Sequence, residues 1–300
     1  MTTVLDRLRH GARVSVIRLR SMGDCVLTTP ALALLKAHRW DLCIRVIVEP
    51  QFQAVFEGNP DVTEISEKVA PSDLVLNLHG GTRSMLMTAA SRAKVRAGFV
   101  QHRFAFIYTH RIPRAQEILG VDRKVHTAEH LASAMFWLGV PQTEIPGARV
   151  FSKSRAEKLP YAVIHPFAAT PEKTWPADRF LAIARHLRAS AAMESVFIAG
   201  PGDNPAPFRE FRVYVNESLD RVKGLISGAE LFVGNDSGPA HIAAACWRPV
   251  VVLFGPSDPV VWAPWRTEAR VLASPEGIQR ISLEQVIEAL VALKVYRWAN

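Results

Sequence analysis

Three short segments of this 300-residue chain carry residue types and spacings suited to chemistry on an anionic substrate. The run Asn235-Asp-Ser-Gly-Pro-Ala-His241 sits where an apolar β-branched stretch gives way to a helical pattern. Free backbone N–H groups at Ser237 and Gly238, aided by the helix dipole, favour an anion such as a pyrophosphate. Pro239 fits the first helical turn, where its missing N–H costs nothing. The competing reading makes Asp236 or Ser237 a simple N-cap. Lys173-Thr-Trp-Pro176 lies in a loop after another apolar run. Its lysine can meet the same anion as a point charge, with the Thr170 hydroxyl beside it; equally, it can be a surface lysine next to a Trp-Pro plug. Asp24 follows Gly23 just after the first apolar run. A carboxylate there can take the proton of a hydroxyl as general base, or cap a helix, or do both.

The elements that must position these residues alternate throughout. Strands are predicted over 14–19, 44–48 and 73–78, the last running into His79-Gly-Gly81, with helices over 26–38, through Arg83 and Arg92, and over 126–138. Gly139 and Pro141 close that last helix. Residues 151–160 are polar and read as a linker. The pattern then restarts with strands over 161–165, 195–199, 231–233 and 250–254 and helices over 177–189, 219–229 and 240–246. The capping box Ser282-x-x-Gln285 opens a final helix over 283–293. Strand–helix alternation of this kind predicts an α/β protein of two parallel-sheet, Rossmann-like domains, residues 1–155 and 156–300, with the final helix free to pack back on the first. Ligands of open α/β sheets sit at the carboxyl ends of strands. The loops at 20–24, 79–83, 165–175, 200–204 and 234–239 are therefore expected to line one central cleft.

Composition removes several classes. Hydrophobic residues at 49% and charged residues at 21% exclude intrinsic disorder. No apolar run approaches the roughly 18 residues of a membrane span, and the N-terminus lacks a signal-peptide pattern, so a cytosolic protein is expected. Cys25, Cys43 and Cys246 are scattered and read as small buried hydrophobes. His126 and His130 share a helix face but have no third ligand, and no phosphate-loop, DxD, HExxH or GxSxG signature occurs. The net charge of +8 is uneven: residues 1–150 hold 19 Lys and Arg against 13 Asp and Glu, whereas residues 151–300 hold 17 against 15. Arg83, Arg92, Lys94, Arg96, Arg103, Arg111 and Arg114 follow one another with no acidic residue between them. Such a stretch is either a solvated basic face or a surface for phosphates of nucleic acid, lipid or substrate.

Taken in order, Gly23-Asp-Cys-Val-Leu-Thr-Thr-Pro-Ala-Leu32, His165-Pro166, Lys173-Thr-Trp-Pro176, Phe232-Val-Gly-Asn-Asp-Ser-Gly-Pro-Ala-His-Ile-Ala-Ala244 and Leu253-Phe-Gly-Pro-Ser-Asp-Pro259 resemble the bacterial ADP-heptose:lipopolysaccharide heptosyltransferases, glycosyltransferase family 9. The resemblance spans about Val14 to Trp265. It implies a GT-B fold and an inverting, metal-independent transfer of a heptose or related sugar, with a nucleotide-sugar such as ADP-heptose as donor substrate and no cofactor. It implies Asp24 as general base and Lys173 on the donor diphosphate. Thr170, Asp236, Ser237, Gly238, Pro239 and His241 would complete the donor site, and Gly23, Arg83 and Arg103 would contact the acceptor. The acceptor implied is a lipid-linked, anionic inner-core saccharide, met peripherally at the inner-membrane surface, where Phe99, Phe104, Phe106 and Tyr108 would enter the headgroups. Two departures stand out. Phe167 replaces a glycine frequent after His-Pro in the family, and the helix after Gly200-Pro-Gly-Asp203 is predicted to shrink to 205–211. A nucleotide-sugar 2-epimerase shares this fold class, and a basic binding protein without catalysis is the third reading, though no nucleic-acid module is present.

Overall fold

A computed structural model describes residues 2–154 and 160–293. The chain divides into two compact units, the first ending at Phe151 and the second starting at Ser152. In the first, β1 (Arg13–Ile17), β2 (Cys43–Ile47), β3 (Glu64–Ser66), β4 (Leu74–Asn77), β5 (Val95–Phe99) and β6 (His110–Ile112) form one parallel sheet in the order β3-β2-β1-β4-β5-β6. In the second, β7 (Tyr161–His165), β8 (Glu194–Ala199), β9 (Arg212–Val215), β10 (Leu231–Asn235), β11 (Val250–Phe254) and β12 (Ala269–Ala273) repeat that order as β12-β11-β10-β7-β8-β9. Central strands read as nearly unbroken apolar runs because helices cover both faces of a parallel sheet. Val14, Val16, Ile17, Leu74, Val75, Leu76 and all of β10 and β11 are buried.

The strand order changes direction between β1 and β4 and again between β7 and β10. At such a switch the loops leaving neighbouring strands diverge to opposite faces and leave a crevice at the strands' carboxyl ends. The β1 and β4 loops carry Asp24 and His79; the β7 and β10 loops carry Lys173 and Asp236.

The helices are α1 (Met22–His38), α2 (Thr82–Ala90), α3 (Ala115–Leu119) and α4 (Thr127–Leu138) in the first unit. The second has α5 (Ala177–Ala191), α6 (Leu219–Ser227), α7 (Gly238–Ala245), α8 (Pro259–Trp262) and α9 (Leu283–Ala292). α1 begins four residues earlier than its apolar period suggests, since Ser21 and Asp24 close a capping box at its start. It tolerates Pro30 because the Thr29 hydroxyl donates to the Val26 carbonyl, the acceptor that a residue at 30 with an N–H would have used. α9 packs on α5, β11 and β12, with Val286, Leu290 and Leu293 in the core of the second unit. Ser152 and Ser154 donate to Asp220, so the start of the predicted linker is tied into the second unit. The rest of it, and with it the expected 155/156 boundary, lies outside the described residues.

Several expectations are corrected. The segment after Gly200 holds a 3-10 turn, Ala206–Phe208, followed by strand β9 rather than a short helix. Cys25 is buried, but Cys43 is exposed at the start of β2 and Cys246 is half-buried. Phe99 and Tyr108 are core residues and unavailable to lipid, whereas Phe106 is 72% exposed. His126 caps α4, accepting from the Ala128 N–H, and His130 stacks on Phe99.

Candidate functional site

Asp24 is the third residue of α1 and a junction of three bonds. Its Oδ1 accepts from Arg18 Nη1 at 3.1 Å, and its Oδ2 accepts from the Ser21 N–H at 3.2 Å and the Ser21 hydroxyl at 3.0 Å. Asp24 thus fills the capping position that the sequence allowed, with Ser21 as its partner at the start of α1. Arg18 lies just past β1 with its side chain only 8% exposed. Burial pulls its pKa below the usual value for arginine while Asp24 opposes that shift. Sequence reasoning missed this residue; the available signal was a lone cation closing an otherwise apolar strand. Gly23, one position before Asp24, is buried within the first turn of α1.

Three imidazoles share the electrostatic surroundings of this pair. His79 follows β4 and has its pKa lowered by burial and by Arg18. His102 and His130 are each pushed down to about 4, mainly by burial and then by neighbouring positive charge, His130 and Arg18 for the first and Arg18 for the second. His102 Nδ1 lies 2.7 Å from the Tyr108 hydroxyl. A Cβ at Gly80, whose φ is +76°, would run into the His102 ring, so the His79-Gly-Gly81 loop passes where only glycine fits. Among the described residues no group of three His, Cys, Asp or Glu side chains is arranged to hold a metal ion. Arg83 is exposed and paired with Glu49 at 2.8 Å, and Arg103 is exposed with its guanidinium over the Phe104 ring, so neither touches Asp24.

In the second unit the two predicted loops meet. Lys173 Nζ lies 3.3 Å from Asp236 Oδ2. Ser237 occupies the N-cap position of α7, but its hydroxyl makes no capping bond; it lies 3.0 Å from His165 Nδ1. Desolvation lowers the His165 pKa to about 4, so near neutral pH the imidazole bonds Ser237 uncharged. Gly238 and Pro239 form the first turn of α7, and His241 is buried within that helix. Thr170 is exposed and precedes the 3-10 turn Pro171–Lys173.

The lysine loop is held rigidly. Asn235 Oδ1 accepts from the Trp175 N–H at 3.1 Å, and the wholly buried Trp175 indole donates to the Ile281 carbonyl at 2.9 Å. Gln279 donates to the Pro171 and Thr174 carbonyls. Gly255 lets the Glu172 carbonyl sit directly on the end of β11. Asn235 and Gly255 are thus positioning residues, and their partners lie too far away in sequence for spacing to reveal them.

Two Rossmann-like parallel sheets of identical strand order, each with its polar loops at the switch point, define the GT-B class of fold. A family model for glycosyltransferase family 9 (heptosyltransferase) matches residues 65–288, and the chain belongs to that family of enzymes. The matched span holds Lys173, Asn235, Asp236 and Ser237, whereas Asp24 precedes it. The chain is 27% identical over 296 residues to a lipopolysaccharide heptosyltransferase 3 of Escherichia coli, covering 82% of this chain and 84% of that protein. A glycosyltransferase family 9 structure from Veillonella parvula superposes with a TM-score of 0.83 at 24% identity, over 94% of this chain and 97% of the other. The E. coli heptosyltransferase WaaC with ADP gives 0.79 at 18% identity, over 94% and 99%.

Proposed function

We propose that this protein transfers a heptose, with inversion, from a nucleotide-sugar of the ADP-heptose type to a saccharide of the lipopolysaccharide inner core. Asp24 takes the proton of the acceptor hydroxyl as its oxygen attacks the anomeric carbon; the bond to the diphosphate breaks and the nucleoside diphosphate leaves. Lys173, the α7 N-terminus and Ser237 hold that leaving group, supplying charge stabilisation without a metal ion. Asp236 then exchanges its bond to Lys173 for one to the sugar. The observation that carries the reading is the Lys173–Asp236 pair beside the N-terminus of α7, a cation and an anion-binding helix start built from residues 63 apart. Leu86, Val100 and Phe106 are each exposed, with Arg103 among them in sequence, and these side chains would supply the apolar and basic contacts to an anionic membrane surface. No described helix is long and apolar enough to cross a membrane.

The test is thermal shift against ADP, UDP, GDP and their sugars, with EDTA present. A ligand at 100 times its Kd adds about 2.7 kcal/mol of stability. Stabilisation by ADP and ADP-heptose is expected; a response to another nucleotide alone would change the donor, and a flat panel would overturn the reading.

A further inference from the structure

We infer that His165 is a positioning residue for the departure of the nucleoside diphosphate: its Nδ1 holds the Ser237 hydroxyl off the end of α7, so that the hydroxyl and the first N–H groups of the helix all serve the diphosphate. This rests on the reading of Lys173 and Ser237 given above and adds the residue that sets the serine.

A serine at an N-cap ordinarily spends its oxygen on the N–H of the second or third helical residue. Neither bond forms at α7. Pro239 stands at the second position and has no N–H, and the Ala240 N–H at the third donates to the Ser237 carbonyl at 3.1 Å. The Ser237 hydroxyl lies 3.0 Å from His165 Nδ1 instead. The Asp236 N–H is spent on the Leu253 carbonyl, which leaves the N–H groups of Ser237 and Gly238 at the helix start. With the hydroxyl they make three donors within two residues, and Lys173 Nζ is bonded to the adjoining Asp236.

The imidazole is held from the strand side and from the loop side. β7 and β10 pair with His165 opposite Gly234, and a Cβ at 234 would lie 2.9 Å from the His165 carbonyl oxygen, so a glycine there permits the approach. The ring meets Phe167 edge-on with centroids 6.0 Å apart, and Phe167 in turn meets the buried Phe208 at 5.7 Å. Phe167, the departure from the glycine frequent after His-Pro, thus buttresses the imidazole. Burial lowers the His165 pKa to about 4, so near neutral pH the ring carries one proton. With that proton on Nδ1 the ring donates to Ser237 Oγ, and the hydroxyl proton is left to donate to a ligand oxygen. A bound anion selects this tautomer, since the other would direct a serine lone pair at negative charge. A donor fixed in advance needs no reorganisation as charge builds on the leaving group.

The experiment is calorimetric titration of the full protein, in EDTA, with inorganic pyrophosphate and with ADP, and a melting curve for each variant. His165→Phe keeps a ring and removes its nitrogens, His165→Asn keeps an amide at the place of Nδ1, and Ser237→Ala removes the other partner. His165→Phe and Ser237→Ala should each weaken both ligands about tenfold, the worth of a hydrogen bond to a charged group. His165→Asn should restore most of that affinity, and the double variant His165→Phe/Ser237→Ala should bind no more weakly than Ser237→Ala alone. A merely structural His165 would lower Tm and add its loss to that of Ser237→Ala. Undiminished affinity in His165→Phe, equal losses in the Phe and Asn variants, or additive losses in the double variant overturn the inference while leaving glycosyl transfer standing. Should His165→Phe fail to fold, His165→Gln, whose amide reaches the place of Nε2 instead, takes its part in the same comparison. Pyrophosphate binding without ADP binding strikes at the donor reading and leaves His165 to be decided on pyrophosphate; binding of neither by the unaltered protein overturns both.

Discussion

Gly255→Ala tests the claim that Lys173 acts from a rigid mount. An added Cβ at 255 would lie far closer than 3.0 Å to the Glu172 carbonyl oxygen, with the Glu172 carbonyl carbon at 3.2 Å and Lys173 Cα at 3.1 Å. All three are backbone atoms, so no side chain can rotate out of the way. The 171–173 turn must retreat from β11 by something on the order of 1 Å, and it is held on its other side by Asn235 and Gln279. A misplacement of that size at a positioned catalytic group costs about 10²-fold in rate. Overpacking of this kind costs roughly 1–3 kcal/mol of stability, which leaves a domain of this size folded. Steady-state transfer and ADP affinity, with a melting curve as control, provide the assay. The expected outcome is a loss of about 10² in kcat/KM, weaker ADP binding and a modest drop in Tm. A folded Gly255→Ala protein with unaltered kcat/KM and ADP affinity would refute the mount.

Asp24→Asn should lower transfer by on the order of 10²–10⁴ with donor affinity kept, whereas Lys173→Ala should weaken nucleotide binding as well, and normal turnover by Asp24→Asn would remove it as the base. Neutralising Arg103 together with Phe106→Ser should reduce sedimentation with anionic vesicles; unchanged sedimentation would reassign that face. His102, His130 and His165 sit near 4 in the folded protein against 6.5 as a free side chain, so the unfolded chain binds more protons between those values. Their contribution is therefore complete above about pH 6.5 and falls away as the pH drops towards 4, and urea midpoints should decline across that window. His102→Gln should flatten the decline, and a slope unchanged by that replacement would argue against the assignment.

Much of the candidate site in the second unit was legible in the chain. Asn235 to His241 and Lys173 to Pro176 each lie within one loop, and local chemistry at a helix start needs only neighbouring residues. The α/β alternation was equally plain, because strands buried on both faces are continuous apolar runs such as β7 and β11. Edge strands were not. β3, β6, β9 and β12 are short or partly exposed along their length, and β5, an inner strand, is interrupted by Arg96 and Gly98, so none carries the apolar run that marks a strand.

What only the tertiary structure decided is who meets whom across long separations. Lys173 reaches Asp236 over 63 residues, Trp175 reaches Asn235 over 60, and His165 reaches Ser237 over 72, all because β7 and β10 are adjacent in the sheet while α5, β8, β9 and α6 separate them in the chain. Arg18, six residues from Asp24, was close enough in sequence to notice. Its meaning was hidden all the same, since a cation in a strand reads as solvated until burial shows that it has given up water for a single carboxylate. The alternation of apolar and polar residues sets which elements form and which loops hold polar groups. Only the pairing order of the strands brings two such loops to the same crevice, and only packing determines which of their charges are left without a partner.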